Sequence, residues 1–86
     1  MRAGQVERKQ AVATLGMRLR AVRLRSGLSQ RQVGDAVGVT RQTIYNIEQG
    51  DYATFVPVLV GLARVLGVST DYLLGLSESE SDEGAT

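Results

Sequence analysis

Val12, Leu15, Leu19 and Val22 recur at three- and four-residue steps, the stripe of a helix that rests on a core. With Gly27 as its stop, that stripe predicts a first helix over about residues 12–26. Ser29 followed three residues later by Gln32 makes a capping box, opening a second helix over 30–37 with Val33 and Val37 turned inward. Gly38 supplies a left-handed helix end and Val39 an apolar plug behind it. Thr40 caps a third helix from Arg41 to Gln49, which Gly50 stops. After a loop at 51–54, Pro57 fits the first turn of a fourth helix that ends at Leu66, before Gly67. Ser69 caps a short fifth helix, with Asp71 beside its N-terminal dipole and Gly75 closing it. No stretch alternates with period two for long enough to build a strand, and no internal repeat is present. The fold class is all-α.

The two ends lack this patterning. Residues 1–11 are polar and are expected to form a flexible, frayed N-terminal arm. Residues 77–86 are acidic, without aromatics, and are expected to be a disordered tail. The ordered domain is therefore expected at 12–76.

Eighty-six residues make one domain with a compact core but no room for a deep cleft. The chain has neither cysteine nor histidine, which removes disulfides, thiolate metal sites and the commonest general base. With scattered carboxylates as well, no nucleophile, base and oxyanion site assembles, so neither an enzyme nor a cofactor or metal is expected. No apolar run reaches membrane-spanning length and the start lacks a signal-peptide core, so a cytoplasmic protein without a membrane partner is expected. The net charge of +1 conceals an asymmetry: residues 1–50 hold nine Arg or Lys against three acids, and residues 51–86 hold Arg64 against six. A basic N-terminal half suits a polyanion.

The third helix sharpens that suggestion. At about 100° per residue, Arg41, Gln42, Tyr45, Asn46 and Gln49 share an arc of roughly 140°, while Thr43, Ile44, Ile47 and Glu48 fill the other side. The isoleucines anchor the helix, and the polar arc faces outward. Arginine can bond guanine O6 and N7 together, and Gln or Asn can pair with adenine N6 and N7.

Taken together, Leu19 with Arg23, Gly27-Leu28-Ser29-Gln30, Gly38-Val39-Thr40-Arg41-Gln42-Thr43-Ile44, Ile47-Glu48-Gln49-Gly50 and Leu62-Ala63-Arg64-Val65-Leu66-Gly67-Val68-Ser69 before Tyr72-Leu73-Leu74 form a specific pattern. The chain resembles the phage repressor and Cro-like helix-turn-helix family, also called the xenobiotic response element type, from about Leu15 to Gly75. The resemblance implies a compact five-helix repressor-like domain that binds double-stranded DNA with the third helix in the major groove. It assigns base reading to Arg41, Gln42, Asn46 and Thr43, and phosphate contact or positioning to Gln30, Thr40 and Gln49. It also implies a partly buried ion pair between Arg23 and Glu48. Tyr45 on the outward arc and the basic residues Arg23 and Arg31 join the phosphate or positioning candidates. Two departures stand out. Gly34 replaces the family's usual Ala, and Tyr52-Ala53-Thr54-Phe55-Val56-Pro57 lacks the family's usual Pro-Ser start to the fourth helix.

The fourth helix carries more apolar surface than one core needs. Val58 and Val65 widen its stripe, and Phe55 lies beside them, with Tyr72 and Leu76 following in and after the fifth helix. Met17, Ala21 and Leu24 form a second stripe on the first helix. The simplest partner is a second copy, reading two half-sites about one helical turn apart. The expected function is thus a sequence-specific transcriptional regulator, a repressor that acts by blocking polymerase at a two-fold operator. The alternative is a protein-interaction module, such as an antitoxin, whose fourth-helix surface grips a protein partner. No small-molecule effector is expected. The acidic tail is expected either to solubilise the chain or to compete with DNA for the basic face.

Overall fold

The computed structural model describes residues 3–51 and 54–81, with side chains from Lys9 onward. Five helices follow one another: α1 (Ala3–Arg25), α2 (Gln30–Val37), α3 (Arg41–Glu48), α4 (Val56–Leu66) and α5 (Thr70–Leu74). Among the described residues there is no strand. The helix starts follow their caps. Ser29, Thr40 and Ser69 each accept a hydrogen bond from the backbone N–H three residues on, and Ser29 with Gln32 completes the capping box. Phe55 precedes α4 without a side-chain cap, and Pro57 sits in the first turn instead.

The expected frayed arm is corrected from Ala3 onward. Residues 3–11 are the opening turns of α1; Met1 and Arg2 lie outside the described residues. Ala3, Gln5, Glu7, Arg8, Lys9 and Gln10 are good helix formers with no proline among them. Extending an existing helix avoids the cost of nucleating a new one. A polar pattern removes the core-facing stripe but not the helix.

α1 packs against α3 and α5 and lightly against α4, while α2 packs on α3 and α4 and so joins the two sides of the core. Leu15, Leu19, Val22, Val33, Ile44, Ile47, Leu62, Leu66 and Leu73 form the buried centre. Val37 and Val39 pack against it from the edge, only partly buried.

Two close approaches set the position of α3. At Gly16 in α1, an added Cβ would lie against the Ile47 carbonyl oxygen and 2.8 Å from that of Glu48. At Gly34 in α2 it would lie 2.7 Å from the Val39 carbonyl oxygen. α3 and the turn before it therefore meet their neighbours backbone to backbone.

A buried ion pair locks the same corner. Arg23 Nε donates to Glu48 Oε2 at 2.5 Å and one terminal nitrogen donates to Oε1 at 3.0 Å. Its other terminal nitrogen donates to the Leu28 carbonyl at 2.8 Å. The Glu48 side chain has no exposed surface and that of Arg23 is 9% exposed. The planar guanidinium thus joins α1, the α1–α2 turn and α3 at a single point.

Two substitutions test this corner. Gly16→Ala raises intrinsic helix propensity yet is expected to destabilise by about 1–3 kcal/mol, because the methyl must displace backbone. Glu48→Ala strands a buried guanidinium and is expected to cost about 3–5 kcal/mol, more than any exposed α3 substitution. Urea denaturation monitored by circular dichroism measures both.

Candidate nucleic-acid interface

The α2–α3 unit presents one polar face. Ile44 and Ile47 are wholly buried with Glu48, so α3 has a single way to sit. That leaves Arg41, Gln42, Tyr45 and Gln49 exposed and Asn46 half-buried on the outer side. Gln42 Nε2 donates to Asn46 Oδ1 at 3.0 Å, so the two amides are held as one unit one turn apart. Thr43 is half-buried, and its hydroxyl lies 2.9 Å from that of Thr40, which caps the helix.

Gln30 stands between the core and this face. Its Nε2 donates to Glu48 Oε1 at 3.1 Å, while its Oε1 faces an Arg41 terminal nitrogen at 3.5 Å. A carboxylate can only accept, so Glu48 turns the amide N–H side inward and its carbonyl outward. Arg31, at the start of α2, is exposed and only 3.9 Å from Asp35, a loose pair of little energetic weight.

Of the phosphate or positioning candidates, Arg23 is turned away from this face. Its guanidinium donates inward to Glu48 and Leu28, and the residue is 7% exposed. The five candidate partner-surface residues divide. Phe55, Val65 and Leu76 are exposed, whereas Val58 and Tyr72 are partly buried against the core. Met17 and Leu24 on α1 and Val56 at the start of α4 are exposed as well.

The tail is also corrected up to Ser81; residues 82–86 lie outside the described residues. Residues 77–81 run back along α1 instead of dangling or covering α3. Arg18 donates to the Tyr72 and Ser77 carbonyls at 2.7 and 3.0 Å and reaches both oxygens of Glu78. Its guanidinium also lies 4.3 Å over the Tyr72 ring, a cation–π contact. Arg25 holds both oxygens of Glu80, at 2.7 and 2.8 Å. The Ser69 N–H donates to the Glu80 carbonyl at 2.6 Å, closing the strap onto the α4–α5 corner. Sequence reasoning passed over this contact. Two coincident registers carried its signal: glutamates two apart share a face of an extended chain, and arginines seven apart share a face of a helix.

The Arg25 hydrogen bonds and its charge hold the Glu80 carboxyl below its ordinary range despite some desolvation. Glu80 correspondingly holds Arg25 above its ordinary value. For a lowered carboxyl, the stabilisation is complete above the unfolded value of about 4.3 and fades as pH falls through the lowered folded value. Loss of the Arg25 proton lies at the alkaline extreme and does not intervene. In an NMR acid titration, the Ser69 amide signal is expected to move with a midpoint below the ordinary glutamate range. Glu80→Gln is expected to abolish that step.

Among the described residues, no helix is long and apolar enough to cross a membrane and no group of acidic side chains is placed to hold a metal. Comparison with known proteins matches residues 14–80 to the helix-turn-helix domain family. The chain is 37% identical over 67 residues to the SPbeta prophage-derived HTH-type transcriptional regulator YonR of Bacillus subtilis (strain 168), covering 78% of this chain and 62% of that one. It is 33% identical over 61 residues to the regulator YgzD of the same organism, covering 71% of this chain and 92% of that one. Among solved structures, the P22 c2 repressor in complex with a synthetic operator superposes with a TM-score of 0.68 at 33% identity, over 70% of this chain and 91% of the repressor chain. The chain spans less than two thirds of the prophage relative but nearly all of the shorter one. An all-helical domain with a capped α2, a glycine turn and an α3 anchored by buried isoleucines thus belongs to the helix-turn-helix family of transcriptional regulators.

Proposed function

We propose that this protein is a sequence-specific regulator that inserts α3 into the major groove of double-stranded DNA. The observation that carries the reading is the outward row of Arg41, Gln42 and Asn46 on a helix whose other side is fixed by Ile44, Ile47 and Glu48. Rigid backing matters because a base-edge hydrogen bond needs its donor placed within a few tenths of an ångström. Arg41 suits guanine, and the coupled Gln42–Asn46 amides suit adenine. Thr43, half-buried with its hydroxyl beside Thr40, has only its methyl to offer a thymine. Gln30, Thr40, Tyr45, Gln49 and Arg31 border the row and serve phosphates, which fix register without carrying sequence information. The operator complex of the P22 c2 repressor supports this geometry by analogy.

One eight-residue reading helix gives limited specificity. The protein acts as a homodimer on an operator of approximate two-fold symmetry, with Phe55, Val65 and Leu76 supplying exposed apolar area toward the second copy. Bound there, it represses by obstructing polymerase.

Selection of bound duplexes from a random library tests the reading. The expected product is a half-site repeated at about one helical turn. Within it, Gln42→Ala is expected to relax preference at one base position, at a cost of about 1–3 kcal/mol, whereas Gln49→Ala weakens all sites alike. Failure to enrich any sequence would overturn it.

A further inference from the structure

The strap formed by residues 77–81 contributes little as a stabiliser. In the Arg18–Glu78 and Arg25–Glu80 pairs the Glu78 side chain is 86% exposed and that of Arg25 58%, although that of Arg18 is only 19% exposed, so each pair is open to solvent on one side. Exposed pairs of this kind add little to folding. Their effect on surface charge is larger. Gly16 and Arg23 mark the flank of α1 that meets α3. Arg18 and Arg25 each lie two residues further on, about 200° around the helix, and so on the opposite flank. Uncovered, they are a second cationic site on the wrong side of the molecule. Such a site attracts any phosphate backbone and reads nothing.

We propose that Glu78 and Glu80 are specificity-determining residues, neutralising Arg18 and Arg25 so that this flank of α1 does not compete with the α3 face for DNA. The proposal rests on the DNA-binding reading above. It assigns the tail a different role from competition at the reading face, because the strap touches α1, Tyr72 and Ser69 and none of Arg41, Gln42 or Asn46. The strap is also anchored independently of its charges. The Ser69 N–H holds the Glu80 carbonyl, and Arg18 holds that of Ser77. The glutamates are therefore delivered to their arginines by backbone contacts.

The test uses the full chain carrying Glu78→Gln and Glu80→Gln together, with a non-specific duplex and heparin as polyanions. Affinity for the non-specific duplex is expected to rise roughly tenfold at low salt, with a log–log salt slope steeper by up to about 1.8, for two added phosphate contacts. Base preference in the specific site is expected to stay unchanged, so the specific-to-non-specific ratio falls. Elution from heparin is expected to shift to higher salt. Asp71→Asn, which raises net charge by one unit as Glu78→Gln alone does but leaves the strap alone, controls for bulk charge against that single variant. Thermal melts confirm folding, and Glu78→Gln alone, at a largely exposed side chain, serves if the double variant is unstable. Unchanged non-specific affinity and heparin elution, or an equal rise in Asp71→Asn, would overturn the proposal. Because heparin has no grooves to read, its arm decides the strap's role even if no specific duplex is found.

Discussion

Everything on the polar face depends on the carboxylate of Glu48 being satisfied inside the protein. A lone charge there is intolerable, and Arg23 meets it from α1 with two hydrogen bonds while spending a third on the Leu28 carbonyl. Gln30 adds a further donor from the first turn of α2. Three consecutive elements are thus referenced to one buried group. Such a pair does not make the fold more stable than an apolar triplet of the same volume. What it adds is direction: an apolar contact tolerates sliding, whereas a bidentate guanidinium–carboxylate pair fixes both distance and angle. Through Gln30 that direction reaches Arg41, the first residue of the polar row.

The part of the chain where short-range rules agree was the most legible. Over residues 29–50, the caps at Ser29 and Thr40, the left-handed Gly38 and the inward isoleucines all point to the same two helices, and the structure has them within a residue of the expected ends. Agreement between levels of local preference is what makes a segment readable. The placement of the outer row followed from the 100° step alone, because Ile44, Ile47 and Glu48 claim the opposite side.

The misses share a cause. The early start of α1 lay in a stretch without apolar periodicity, where propensity was the only available guide. Gly34 stands out in the sequence as a departure from the family pattern, whereas the tighter constraint at Gly16 does not, because a mid-helix glycine gives no hint of which backbone approaches it. Composition predicts disorder for the strap because it measures what a segment can bury and says nothing of partners in a helix more than fifty residues earlier.

The contact of Gly16 with the carbonyls of Ile47 and Glu48 has an evolutionary corollary. Because the third helix is seated on main chain, its pose is insensitive to which side chains it displays outward. Arg41, Gln42 and Asn46 can therefore be exchanged for other residues without retuning the scaffold. A lineage carrying this domain could acquire new target sequences by drifting at a handful of surface codons, while the glycine that permits the seating stays under strict selection.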